Sequence, residues 1–92
     1  MNAVLIEKEQ IRELVYPTQV AEKPLSFRKE LADKCAKALS LGNLHKGKCS
    51  IFFRDAVGLK KVNTTIWGFM EDNIVLKGGV VLNLRYVEDI VF

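Results

Sequence analysis

From Lys46 to Phe92 the chain is an unbroken series of short apolar–polar alternations separated by glycine-rich or acidic turns. Nothing else in the sequence constrains the fold as strongly. So many strands in so few residues must curl on themselves or pair with another chain, because two or three open strands bury too little apolar surface. Cys49, Ile51 and Phe53 alternate with Lys48, Ser50 and Arg54, a period of two with one buried and one wet face. Asp55-Ala56-Val57-Gly58 reads as a hairpin connection, with the glycine expected at positive φ. Beyond it, Val62, Thr64 and Ile66 share one face, and Asn63, Thr65, Trp67 and Phe69 share the other. The apolar weight changes sides near Trp67-Gly68, and a glycine at such a switch predicts a sharp bend or bulge. Glu71-Asp72-Asn73 reads as a turn with Asn73 left-handed, and Gly78-Gly79 as a two-residue turn. Arg85-Tyr86-Val87 links to a last strand. The expected strands are 48–54, 60–70, 73–77, 80–84 and 88–92.

The N-terminal half has a different period. Ile11, Leu14 and Val15 lie at i, i+3 and i+4 among Glu7, Lys8, Glu9, Arg12 and Glu13, the pattern of a short amphipathic helix. The four early apolar residues Ala3-Val4-Leu5-Ile6 could instead add an edge strand. Tyr16-Pro17 ends the segment, since a residue before proline is pushed out of the helical region, and Thr18 to Leu25 reads as a connector. A second helix follows, with Ser26 as N-cap. Phe27, Leu31, Cys35, Ala38 and Leu39 form its apolar stripe. Glu30 and Lys34 are spaced as an i,i+4 ion pair, and Gly42-Asn43 supplies a helix stop.

Together these readings predict a single α+β domain, 1–92. One or two N-terminal helices (residues 1–43) would pack on a strongly bent, five-stranded antiparallel sheet (44–92) closed as a small SH3-like barrel. A flat five-stranded sheet under two helices is the alternative. The element order resembles that of Sm-like barrels: helix, Ile51 to Arg54, Gly58, a long bent strand, the Asp72-Asn73 turn and a short final link. That group includes Hfq-type RNA chaperones and the small Rho-inhibitor proteins. Thr64 to Arg85 is also similar to small bacterial proteins. The resemblance covers about half the chain and implies an Sm-like barrel and RNA binding. Sm-like proteins hold an RNA base with an Asp and an Asn separated by a few residues; here Asp72 and Asn73 are adjacent. Arg85-Tyr86 stands nearest to that group's second motif, an Arg-Gly or Lys-His pair.

Charge is only permissive. The 92 residues carry 14 Lys and Arg against 11 Asp and Glu, a net charge of +3, and the excess is spread along the chain without a like-charge block. No secretory signal or apolar run near the ~20 residues of a membrane span is visible. Two cysteines, Cys35 and Cys49, are too few for a disulfide scaffold, so the cytoplasm is the expected compartment, with both thiols reduced. His45, Cys35 and Cys49 match no zinc spacing and lack a fourth ligand. No Cys–His pair, carboxylate pair or phosphate-cradling loop has the framework catalysis needs. The expectation is therefore a protein with no enzymatic activity, no metal and no cofactor.

Two binding readings remain. Lys46, Lys48, Arg54, Lys60, Lys61, Lys77 and Arg85 are interleaved with Trp67, Phe69 and Tyr86, a composition suited to RNA or single-stranded DNA, where bases stack on aromatics in a basic groove. Aromatics beside a bend are more often core, which predicts Trp67 and Phe69 under Phe27 and Leu31. The second reading is a protein partner or homo-oligomer through Glu88 to Phe92, a final strand carrying no proline or lysine to blunt its edge, although the same strand could equally be tucked beside the one expected over 48–54.

Overall fold

A computed structural model describes residues 3–18, 23–45 and 48–91, with side chains except those of 40–45. The protein is α+β, with one long helix and seven strands in two sheets among the described residues. The first sheet has the order β1-β3-β2-β7, with β1 Val4–Ile6, β2 Cys49–Arg54, β3 Leu59–Thr64 and β7 Val87–Val91. The second is a meander of β4 Ile66–Met70, β5 Asn73–Leu76 and β6 Val81–Asn83. All pairs are antiparallel except β1, which runs parallel to β3 with Val4 opposite Lys60.

Several sequence expectations change here. The strand expected over 60–70 is two strands, separated only by Thr65, and each belongs to a different sheet. The strands accordingly do not form one closed ladder; no strand of the first sheet pairs with one of the second among the described residues. Residues 3–16 do not form an α-helix. Val4–Ile6 forms an edge strand and Lys8–Glu13 a 3-10 helix, whose entry is fixed by a capping box between Glu7 and Gln10. Of its expected apolar face, Ile11 is buried, Leu14 half-buried and Val15 exposed.

The long helix, α1 (Leu25–His45), starts a residue before Ser26, with the Arg28 N–H donating to the Pro24 carbonyl at 3.0 Å. It also runs through Gly42 to His45. A glycine inside a helix costs only about 1 kcal/mol relative to alanine, which flanking residues can absorb. The stripe is as expected in direction: Leu31, Cys35 and Ala38 are buried, with Phe27 and Leu39 packed beside them. Lys34 pairs with Asp89 of β7 at 2.7 Å. The inner faces of both sheets meet this stripe in one cluster that includes Ile51, Phe53, Val62, Ile66, Ile74, Leu76, Leu82, Val87 and Ile90. Each such side chain contributes about 1.5–3 kcal/mol on full burial.

The turns are built differently from the expectation. Gly58 has no positive φ; instead the Asp55 carboxylate accepts the Val57 and Gly58 N–H groups, each at 2.9 Å. Between β4 and β5 the left-handed residues are Glu71 (φ 51°) and Asp72 (φ 65°), and Asn73 belongs to β5. Gly78 and Gly79, at φ 88° and 84°, do take the conformation that favours glycine.

Candidate nucleic-acid interface

The run from Leu59 to Trp67 keeps strict alternation across the break at Thr65. Val62, Thr64 and Ile66 are buried, while Lys61, Asn63, Thr65 and Trp67 alternate with them toward the outer side. At Trp67 the pairing slips: Ile66 is opposite Leu76 and Gly68 opposite Val75, so Trp67 is an extra residue on its strand. Parity then inverts. Phe69 faces Ile74 in the register and packs against the core, whereas Trp67 is 58% exposed. The two aromatics expected to act together are thus separated. Trp67 is not a core residue, and Phe69 is not a platform residue, because the bulge lies between them. Gly68 stays on the outer side, where an added Cβ would rest at 3.7 Å from the Val75 Cβ.

The outer face of the first sheet carries an aromatic absent from the sequence-derived set. Phe52 shares the parity of Ser50 and Arg54 on β2 and is opposite Lys61, whose Nζ lies 5.5 Å from its ring centroid. The signal was the alternation itself, which puts Phe52 on the wet face with Lys48, Ser50 and Arg54. Beside this pair, Ser50 Oγ lies 2.7 Å from Asn63 Oδ1, and Arg54 Nε reaches Glu88 Oε1 at 3.3 Å.

Lys60 and Lys61 are neighbours with opposite fates. Lys60 lies on the inner parity, 3.3 Å from Asp55, with side chains 12% and 2% exposed. Burial alone would raise the Asp55 pKa, but the Gly58 and Val57 N–H groups and Lys60 outweigh it and hold the carboxyl below its ordinary value. Lys60 therefore fastens the β2–β3 turn. Lys48 is exposed immediately before β2. Lys77 is exposed in the turn after β5, and its N–H donates to the Thr65 carbonyl at 2.9 Å, which sets it beside the outer row. Arg85 lies beyond β6, across the second sheet from β4, with its Nε on Asn83 Oδ1 at 3.1 Å. Lys46 falls outside the described residues. The structure therefore gathers Lys48, Arg54, Lys61 and Phe52 on one sheet, continues with Lys77 and Trp67 on the next, and leaves Lys60, Phe69 and Arg85 apart.

The last strand is at a sheet edge, but its edge is not bare. The Asp89 carboxylate accepts Lys34 Nζ from α1 at 2.7 Å and the Ile90 N–H at 2.8 Å. The β2–β7 register also shifts between Phe52 and Phe53. The strand itself carries no proline or lysine, as expected, but a bulge is one way by which edge strands are blunted, and the Asp89 side chain is tied to Lys34 of α1. Phe92 lies outside the described residues.

Neither thiol is placed for chemistry. Burial, with Cys49 adding, pushes the Cys35 thiol up to about 12; burial also raises Cys49, against its own backbone hydrogen bond. No group of three or more His, Cys, Asp or Glu positioned to hold a metal ion occurs among the described residues. No helix among them is long and apolar enough to cross a membrane. No protein-family model, no curated protein and no solved structure matches the chain, so its outer surface has to be read from its own residues.

Proposed function

We propose that this protein is a non-enzymatic binding module for RNA or single-stranded DNA in the cytoplasm. The bound strand would lie along the outer row from Phe52 and Lys61 to Trp67. The observation that carries this reading is the Lys61–Phe52 pair on an outward sheet face, continued by one row of side chains to an exposed Trp67 beside Lys77. Exposed rings offer stacking surfaces that accept any base, and the flanking cations Lys48, Arg54, Lys61 and Lys77 suit the phosphates. The likeness in element order to Sm-like RNA-binding barrels points the same way, and two sheets joined at Thr65 over one core agree with a small, strongly bent SH3-like architecture.

The test is anisotropy of labelled single-stranded RNA and DNA across a salt series. Binding should weaken as salt rises, with a log–log slope near −0.7 for each phosphate neutralised. Lys61→Ala should flatten that slope, and Trp67→Ala should lower affinity at every salt. No binding at low salt, or affinity indifferent to both substitutions, would remove this reading.

A second reading, a protein partner or homo-oligomer through Glu88 to Phe92, is favoured by the place of β7 at the sheet edge. The Lys34–Asp89 pair and the β7 bulge work against it. Light scattering of the chain with and without Val91 and Phe92 separates the cases: a monomer in both would eliminate homo-oligomerisation through this strand.

A further inference from the structure

A cleft of about 300 Å3 lies between the 3-10 helix Lys8–Glu13 and the β5–β6 hairpin. Ile11 contributes a buried apolar floor, and Tyr16 and Tyr86 an aromatic wall, with ring centroids 4.7 Å apart and planes tilted by 33°. Opposite them stand Asn73 and Asn83, side by side across β5 and β6, with Asn83 Nδ2 donating to Asn73 Oδ1 at 3.1 Å. Arg12 closes the rim. Its guanidinium donates to the Gly79 carbonyl at 3.3 Å, and no carboxylate lies within ion-pair distance of it among the described residues.

We propose that this cleft is a binding site for a small planar aromatic anion, a ring bearing one carboxylate or phosphate. Volume, wall and charge agree on that class. The space is at the lower end of the range for small-molecule sites and admits one substituted ring. Tyrosine faces and edges favour a flat ring in offset or tilted contact. The Asn73 amide has donor capacity beyond its bond to Asn83, which suits in-plane polar atoms on the ring. An arginine engaged only by a neutral carbonyl keeps its planar fork for a carboxylate or phosphate, which it can meet with two parallel bonds. Tyr16 is set as a neutral wall: burial, with the Asp55 charge and Tyr86 adding, pushes its hydroxyl up to about 12, and it donates to the Ile11 carbonyl at 3.0 Å. A ligand seated here would bridge the N-terminal segment and the second sheet, adding to the Arg12–Gly79 hydrogen bond and the burial of Ile11 in the shared core.

The chemistry has two sources, an aromatic carboxylate or an aryl phosphate, and the probes separate them. The side-chain amide signals of Asn73 and Asn83 would be followed in 15N-labelled protein. Titrants are 4-hydroxybenzoate, phenyl phosphate, phenol and inorganic phosphate, each to about 10 mM, which reaches Kd values in the millimolar range. Saturable shifts with at least one aromatic anion, and weaker ones with phenol and phosphate, are expected. The tighter of the two anions identifies the source. Arg12→Gln, at an exposed position that leaves the fold intact, should weaken binding at least fivefold; Tyr86→Leu should do so too if its circular dichroism is unchanged. The proposal is overturned by flat titrations with both anions, by phenol binding as well as its carboxylate, or by an unchanged affinity in Arg12→Gln. Because none of these readouts uses an oligonucleotide, either outcome leaves the outer-row reading to its own test.

Discussion

The two sides of the β3–β4 run make the most instructive comparison in the molecule. On the inner side, Lys60, Val62, Thr64 and Ile66 are committed: the three uncharged residues are buried, and the lysine is locked to Asp55. On the outer side, Lys61 lies over a ring and Trp67 stands in solvent. One chain segment thus carries stability on its even residues and an open surface on its odd ones. Composition cannot separate these roles, since each side has a lysine and a large apolar residue.

The division can be broken experimentally, starting with the largest expected effect. Phe53→Ala, at a fully buried inner position, should cost about 3–5 kcal/mol of unfolding free energy in denaturant titration. A loss below ~1 kcal/mol would mean that the inner face is loosely packed. Trp67→Ala should leave stability within about 0.5 kcal/mol yet cost about 1–3 kcal/mol in single-strand affinity. If stability falls as far as for Phe53→Ala, the indole is structural and the division fails.

Asp55→Ala removes the acceptor for two amides and the partner of Lys60, so a stability loss of about 1–3 kcal/mol is expected. Lys61→Ala should produce none. The same contrast has a pH signature. Asp55 and Asp89 both have folded pKa values below the ordinary carboxylate value, Asp89 chiefly through its hydrogen bond from Lys34. Their contribution is complete above the unfolded pKa, near 4, and is lost as pH falls through the lower folded values. Asp55→Asn and Asp89→Asn should each flatten the acid limb of the stability profile, whereas Lys61→Ala should leave its shape alone. The smallest effect is expected at a turn belonging to neither side: Asp72→Gly, at φ 65°, should gain about 0.5 kcal/mol without altering binding.

Much of this division was legible in the sequence, because alternation is local. The burial of Cys49, Ile51, Phe53, Val62, Thr64 and Ile66 follows from parity alone, as does the α1 stripe from Leu31 to Ala38. What could not be read depends on partners distant in sequence. Thr65 has the same strand propensity as Thr64, and only the assignment of the flanking segments to different sheets makes it a joint. The direction of Phe69 depends on a slip against β5, which a one-residue count cannot reveal. The destination of Lys60 was hidden for the same reason, since Asp55 claims it across a turn. The outward direction of Phe52 is legible from the same alternation, although its neighbours Ile51 and Phe53 dominate the apolar pattern.

The parallel seat of β1 bears on the order in which the molecule assembles. Val4 to Ile6 can dock only on Lys60 to Val62, after more than half the chain has been made and the β2–β3 hairpin exists to receive them. Antiparallel neighbours joined by short turns close early, whereas a pairing across so long a loop closes late. With Val4 and Leu5 exposed, β1 also has little apolar burial to hold it in place. It is a strand expected to pair late and to leave first in native-state hydrogen exchange, without unfolding the hairpin beneath it.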